Sequence, residues 1–128
     1  GDVDTAVVTM VYADGKISVI KNSRRAAYGY DQRIEILGSE GLLQAENIIE
    51  NSVVKSTNAG VLSAKPKYFF LERYIDAYRA EWNAFVKSIN DDEPIPVTLE
   101  DGVAALAMAE AATQSQNTGK SIQLKEVL

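Results

Sequence analysis

The spacing of apolar residues changes once along the chain. Up to Ala64 apolar and polar positions alternate in short runs, and after Pro66 apolar residues recur every three or four positions. Alternation sends successive side chains to opposite faces of a strand, whereas the longer spacing builds one face of a helix. Strands are therefore predicted first and helices afterwards.

From Thr5 to Tyr12, residues Ala6, Val8, Met10 and Tyr12 share one face, and Thr5, Val7, Thr9 and Val11 share the other. Both faces are apolar enough that cover is expected on each. Asp14-Gly15 predicts a two-residue type I′ turn, which needs positive φ at both central positions, so a second strand runs from Lys16 to about Asn22. Ile34 and Ile36 alternate with Arg33, Glu35 and Leu37, and Gly38-Ser39-Glu40-Gly41 turns the chain into Leu42 to Glu46. A third hairpin is expected from Ile48–Thr57 and Val61–Ala64, around Asn58-Ala59-Gly60.

Leu71, Tyr74, Ile75, Tyr78, Trp82, Phe85, Val86 and Ile89 then mark a long amphipathic helix ending near Asn90. Its aromatic stripe, Phe70, Tyr74, Tyr78 and Trp82, has the spacing of a core face. Asp91-Asp92-Glu93-Pro94 and Pro96 break the helix, and Thr98 with Asp101 has the form of a capping box opening a second one. Val103, Leu106, Ala107 and the alanines through Ala112 give that helix a slim apolar face, and Asn117-Thr118-Gly119 stops it. Ile122 to Leu124 is expected to form a short final strand. The predicted class is α+β: a mostly antiparallel open sheet with helices on one face. The other sheet face, with Val7 and Val11, then needs a partner.

Composition narrows the functions. With 128 residues, 46% of them hydrophobic, the chain is expected to form one packed domain over residues 1–128. A net charge of -5 argues against nucleic-acid or membrane-surface partners, which are held by a basic field. The chain has no cysteine and no histidine, which excludes disulfide, thiolate and imidazole chemistry within it, along with Cys/His metal sites. No apolar run reaches the roughly 20 residues of a membrane helix, and a cytoplasmic protein is expected. Gly1-Asp2-Val3-Asp4 enters the first alternation at once, so the chain is expected to begin inside a larger protein.

One stretch stands apart: Ser23-Arg24-Arg25-Ala26-Ala27-Tyr28-Gly29-Tyr30-Asp31-Gln32-Arg33 crowds polar-tipped side chains where strand patterning stops. Tyr28 and Tyr30 could hold a small polar ligand through phenol hydroxyls, or could simply pack over the rim of the sheet. Ser23-Arg24-Arg25, with Lys21 nearby, could bind an anion or a carboxylate of another subunit, or be a solvated loop. Asp91, Asp92 and Glu93 could attract a hard cation, or only end a helix. No phosphate-binding glycine loop or dinucleotide fingerprint is present.

The run from Asn22 to Arg33, followed by Ile34-Glu35-Ile36-Leu37-Gly38-Ser39-Glu40-Gly41, resembles the C-terminal domain of the glucose-fructose oxidoreductase/inositol dehydrogenase (Gfo/Idh/MocA) family, in its inositol 2-dehydrogenase branch. Phe69 to Tyr78 and Thr118 to Leu124 are similar to that family's helix and terminal strand, so the resemblance covers essentially the whole chain. It implies a parent oxidoreductase with an N-terminal Rossmann domain that binds NAD, oxidising a ring hydroxyl of myo-inositol or a related polyol to a ketone. It also implies a homodimer or homotetramer associated through the sheet. The glycine fingerprint, the catalytic lysine and the Asp-x-x-x-His segment of that family are missing here, so the Rossmann domain is taken to be absent from this chain. No catalytic residue, NAD site or metal ligand is expected in it, and the chain alone is expected to be inactive. The resemblance makes Tyr30, then Tyr28, the substrate-binding residues, with Asp31, Arg25 and Arg33 fixing the loop or subunit contacts. The alternative is a stand-alone, non-catalytic polyol-binding or oligomerisation module.

Overall fold

The computed structural model describes residues 3–127; Gly1 and Asp2, where the chain enters its first alternation, and the last residue of the 1–128 span lie outside them. The elements are β1 (Thr5–Val11), β2 (Ile17–Ser23), β3 (Ile34–Gly38), β4 (Gly41–Ala45), β5 (Val54–Thr57), β6 (Gly60–Ser63), α1 (Phe70–Asn90) and α2 (Leu99–Thr118), then a single 3-10 turn at Leu124–Glu126. Antiparallel strand pairs with two helices make the α+β class expected from the spacing. The strands pair two by two, as β1-β2, β3-β4 and β5-β6. No described helix is long and apolar enough to cross a membrane.

The chain divides into two compact units, one of Gly1–Val7 with Lys21–Ala80, the other of Val8–Ile20 with Glu81–Leu128. In the first, β3 and β4 pair Ile34 with Ala45, Ile36 with Leu43 and Leu37 with Leu42. The third hairpin is shorter than its pattern: the ladder holds Val54–Thr57 against Gly60–Ser63, and pairing resumes only as a bridge between Ile49 and Pro66. Between them the Asn51 side chain accepts from the Val53 N–H at 2.9 Å, giving the backbone a local partner in place of the ladder.

In the second unit the first hairpin turns differently from the type I′ expectation. Gly15 has φ 84 but Asp14 is not in the left-handed region. The Gly15 N–H donates to the Tyr12 carbonyl and the Tyr12 N–H to the Lys16 carbonyl, both at 2.9 Å. That is a three-residue loop with glycine in the left-handed position, so a non-glycine residue is spared positive φ. Helix α1 ends where Asp92 takes φ 54 and Lys87 pairs with Glu93 at 2.7 Å. Thr98 caps α2 through a complete box: its hydroxyl accepts from the Asp101 N–H at 3.3 Å, and the Asp101 carboxylate accepts from the Thr98 N–H at 2.8 Å. At the other end Gly119, at φ 68, donates to Ser115.

Four expectations are corrected. The final strand at 122–124 is replaced by the 3-10 turn, which contacts α2. Only the Ala6, Val8 and Met10 face of β1 is partly covered, and Val7 and Val11 are exposed. The aromatic stripe of α1 is not core: no described residue of α1 is buried, and Trp82 is 64% exposed. On α2 the alanine side is the covered one, while Val103 and Leu106 are exposed. Ala107, at 6%, is the one buried hydrophobic residue among those described, so the other described apolar residues are exposed or partly covered rather than gathered into a core. The reason is geometric, because a two-stranded hairpin exposes both faces and cannot cover itself. β3, β4, β5 and β6 are exposed at every position.

Thr98→Ala removes the hydroxyl half of the capping box and should lower stability by about 1 kcal/mol. Urea denaturation followed by circular dichroism checks it; an unchanged midpoint would mean that the box contributes nothing.

Candidate functional site

The loop between β2 and β3 lies entirely within the first unit, together with the opening turns of α1. Gly29 lets it run close to the segment before α1. It is buried, has φ 131, and an added Cβ would come within 3.0 Å of the Pro66 and Lys67 carbonyl oxygens. Only glycine fits both the conformation and the space. That approach lets the Tyr30 N–H donate to the Lys67 carbonyl at 2.8 Å. The Tyr30 carbonyl accepts from Asn47 Nδ2 at 3.0 Å. Both backbone groups of Tyr30 are thereby held.

The Tyr30 side chain is half-buried and meets Tyr74 of α1 edge to face, with ring centroids 5.6 Å apart. Their hydroxyl oxygens are 3.4 Å apart, and the Tyr74 hydroxyl donates to Gln32 Oε1 at 2.6 Å. The Arg73 guanidinium carbon lies 5.5 Å from the Tyr74 ring centroid, a cation–π distance. The bond to Tyr74, followed by burial, raises the Tyr30 phenol above its ordinary pKa, so it keeps its proton at neutral pH.

Tyr28 is built into a second cluster. Its hydroxyl donates to Asp31 Oδ2, and Arg33 forks onto the same carboxylate, Nε to Oδ1 at 2.9 Å and Nη2 to Oδ2 at 2.8 Å. The Tyr28 hydroxyl bond and then the Arg33 fork hold the Asp31 carboxyl below the usual carboxylate range. Asp31 in turn raises the Tyr28 phenol. Arg25 pairs with Asp4 at 2.8 Å, and the Arg24 N–H donates to the Asp4 carbonyl at 2.9 Å, fastening the start of the loop to the chain before β1.

The loop thus places the two tyrosines named from sequence in different settings. Tyr30 hydrogen-bonds within a cluster of hydroxyls and an amide, with the Arg73 guanidinium over the neighbouring Tyr74 ring, whereas the Tyr28 proton is committed to a carboxylate. Sequence reasoning missed Tyr74, Gln32 and Asn47. Tyr74 was absorbed into an apolar stripe, and the only available signal was a phenol where a phenylalanine would serve packing equally well. Asp91, Asp92 and Glu93 do not converge into a ligand set: among the described residues there is no group of three His, Cys, Asp or Glu that could hold a metal ion.

Residues 1–124 match the oxidoreductase family, C-terminal alpha/beta domain. A myo-inositol 2-dehydrogenase from Thermotoga maritima is 47% identical over 128 residues, covering 100% of this chain and 38% of that protein. The crystal structure of a probable dehydrogenase from Thermotoga maritima superposes with a TM-score of 0.95 at 46% identity, over 99% of this chain and 38% of the other. A myo-inositol dehydrogenase from Lactobacillus casei, solved in complex with NAD(H) and myo-inositol, gives a TM-score of 0.79 at 28% identity, over 93% and 35%. The chain therefore spans somewhat more than a third of the length of the proteins it matches.

Because the folded-state pKa of Asp31 is depressed, its bonds contribute stability in full above the unfolded carboxylate value near 3.9. That contribution is lost as pH falls through the lower folded value. Carboxyl-carbon NMR should show Asp31 titrating below 3.8, with Tyr28→Phe moving it up toward that value. An unmoved titration would show that the Tyr28 bond is not made.

Proposed function

The chain belongs to the oxidoreductase family, matching its C-terminal alpha/beta domain, and on that basis we propose that it is the substrate-contacting and subunit-associating domain of an NAD-dependent dehydrogenase of myo-inositol or a closely related ring polyol. The observation that carries this reading is the cluster of Tyr30, Tyr74 and Gln32, held by Asn47 and Lys67. A polyol is uncharged and dense in hydroxyls. Phenols and an amide meet it without the desolvation cost that full charges would carry, and each buried hydroxyl left unpaired costs about 1–3 kcal/mol. The similarity to inositol dehydrogenases supports the ring polyol as the class.

In this reading NAD, when bound to the whole enzyme, would supply the hydride acceptor that oxidation of a ring hydroxyl to a ketone requires. The residues of this chain do not fit that cofactor: they offer no glycine-rich turn between strand and helix to cradle its phosphates, and no histidine or cysteine beside the phenols. We assign NAD and the proton-accepting base to a Rossmann domain outside residues 1–128, and to this chain the binding and orientation of the ring. We assign the enzyme to the cytoplasm as part of this proposal.

Subunit association belongs to the same proposal. In the β3–β4 register Ile34, Ile36, Leu43 and Ala45 fall on one face, and Ile34, Ile36 and Leu43 are all exposed. An isologous pairing of such faces gives the homodimer, and its repetition a homotetramer.

In the full-length dehydrogenase Tyr30→Phe should lower kcat/KM for myo-inositol by about ten-fold or more. Steady-state NAD reduction measures it, and unchanged kcat and KM would remove Tyr30 from the site. Light scattering of the full-length protein should give a dimer or tetramer; a monomer at high concentration would remove the association role.

A further inference from the structure

The Tyr30, Tyr74 and Gln32 cluster contains two hydroxyl protons and an order in which they must be used. Gln32 Oε1 can only accept, and Tyr74 has a single proton to give. The 2.6 Å contact between them is short and the 3.4 Å contact between Tyr74 and Tyr30 is long, so the shorter bond decides the direction of the other. With its proton committed to Gln32, the Tyr74 oxygen can only accept from Tyr30. The Tyr30 proton then points toward the Tyr74 oxygen, and its lone pairs face away from Tyr74. The loop cannot easily turn to change this, because the Tyr30 N–H and carbonyl are both bonded.

Resting on the polyol reading above, we infer that Tyr74 and Gln32 are positioning residues that fix the polarity of Tyr30, making it an acceptor for a ring hydroxyl and unfavourable to any substituent that can itself only accept. A lone tyrosine donates or accepts as its ligand requires. This one is biased, and the bias converts a nonspecific phenol into a reader of hydroxyl protons. Replacing the ring hydroxyl that faces Tyr30 by fluorine, close in size but without a proton, leaves two acceptors opposed.

The test uses the full-length dehydrogenase and a series of monodeoxy-monofluoro inositols. In the unmodified enzyme one ring position other than the carbon oxidised should show a loss of kcat/KM of about ten-fold or more on replacing hydroxyl by fluorine, and Tyr30→Phe should abolish that contrast. Tyr74→Phe frees the Tyr30 proton to turn outward, and the contrast should shrink to about three-fold or less. Gln32→Glu keeps an acceptor opposite Tyr74 and should retain it. A contrast unaltered by Tyr74→Phe, or lost in Gln32→Glu, overturns the inference. An enzyme that turns over no polyol overturns the functional reading instead. The polarity is then decided in the same protein by NMR of tyrosine labelled at Cζ. Tyr74→Phe should lower the Tyr30 titration toward its ordinary value, and an unmoved titration overturns the inference.

Discussion

The close approach of the chain at Gly29 to the backbone of Pro66 and Lys67 is the constraint on which the site depends. A side chain there would collide with two carbonyl oxygens, and the φ of 131 would strain any other residue. From that approach follow the Tyr30 N–H bond to Lys67, the Asn47 bond to the Tyr30 carbonyl, and the placing of the Tyr30 ring against Tyr74. A residue far from α1 in sequence is thereby brought to its first turns. The ion pairs nearby act on the loop itself: Arg25 with Asp4 secures its start and Arg33 with Asp31 its end. Arg25 and Arg33 are well exposed, so solvent screens each pair, which defines geometry more than it stabilises.

The hairpins show why so apolar a chain buries so little. Each is a two-stranded ribbon, only the β1–β2 hairpin has a partly covered face, and the apolar residues of β3 and β4 are exposed although their register is regular. Stabilisation of about 25 cal/mol per Å² of apolar surface is gained only when another surface covers these faces. Local order here comes from hydrogen-bonded devices instead: the capping box of Thr98, the glycine stop of α2 and the glycine-bearing turn of the first hairpin.

How much the amino-acid sequence determined follows the range of the interaction. The three hairpins, the two helices, the Thr98 cap and the Gly119 stop were legible because each depends on residues within a few positions of one another. The crowding of polar-tipped side chains from Ser23 to Arg33 was visible for the same reason. Even the local reading failed where two turns share one signature: Asp14-Gly15 suits both a two-residue and a three-residue loop, and only the position of the bonds to Tyr12 distinguishes them.

Tertiary structure alone decided what contacts at long sequence separation decide. Tyr74 has the spacing of a packing residue, and only its meeting with Tyr30 and Gln32, more than forty positions away, makes it polar machinery. Tyr28 and Tyr30 are alike in sequence, two residues apart around one glycine. Folding commits one proton to a carboxylate and directs the other toward a phenol, because Gly29 between them, at φ 131, breaks the regular course of the backbone and sends the two side chains to different neighbours. Burial followed the same rule. Periodicity showed which residues share a face, but whether a face is covered depends on a second surface, and that is a property of the folded arrangement rather than of the pattern.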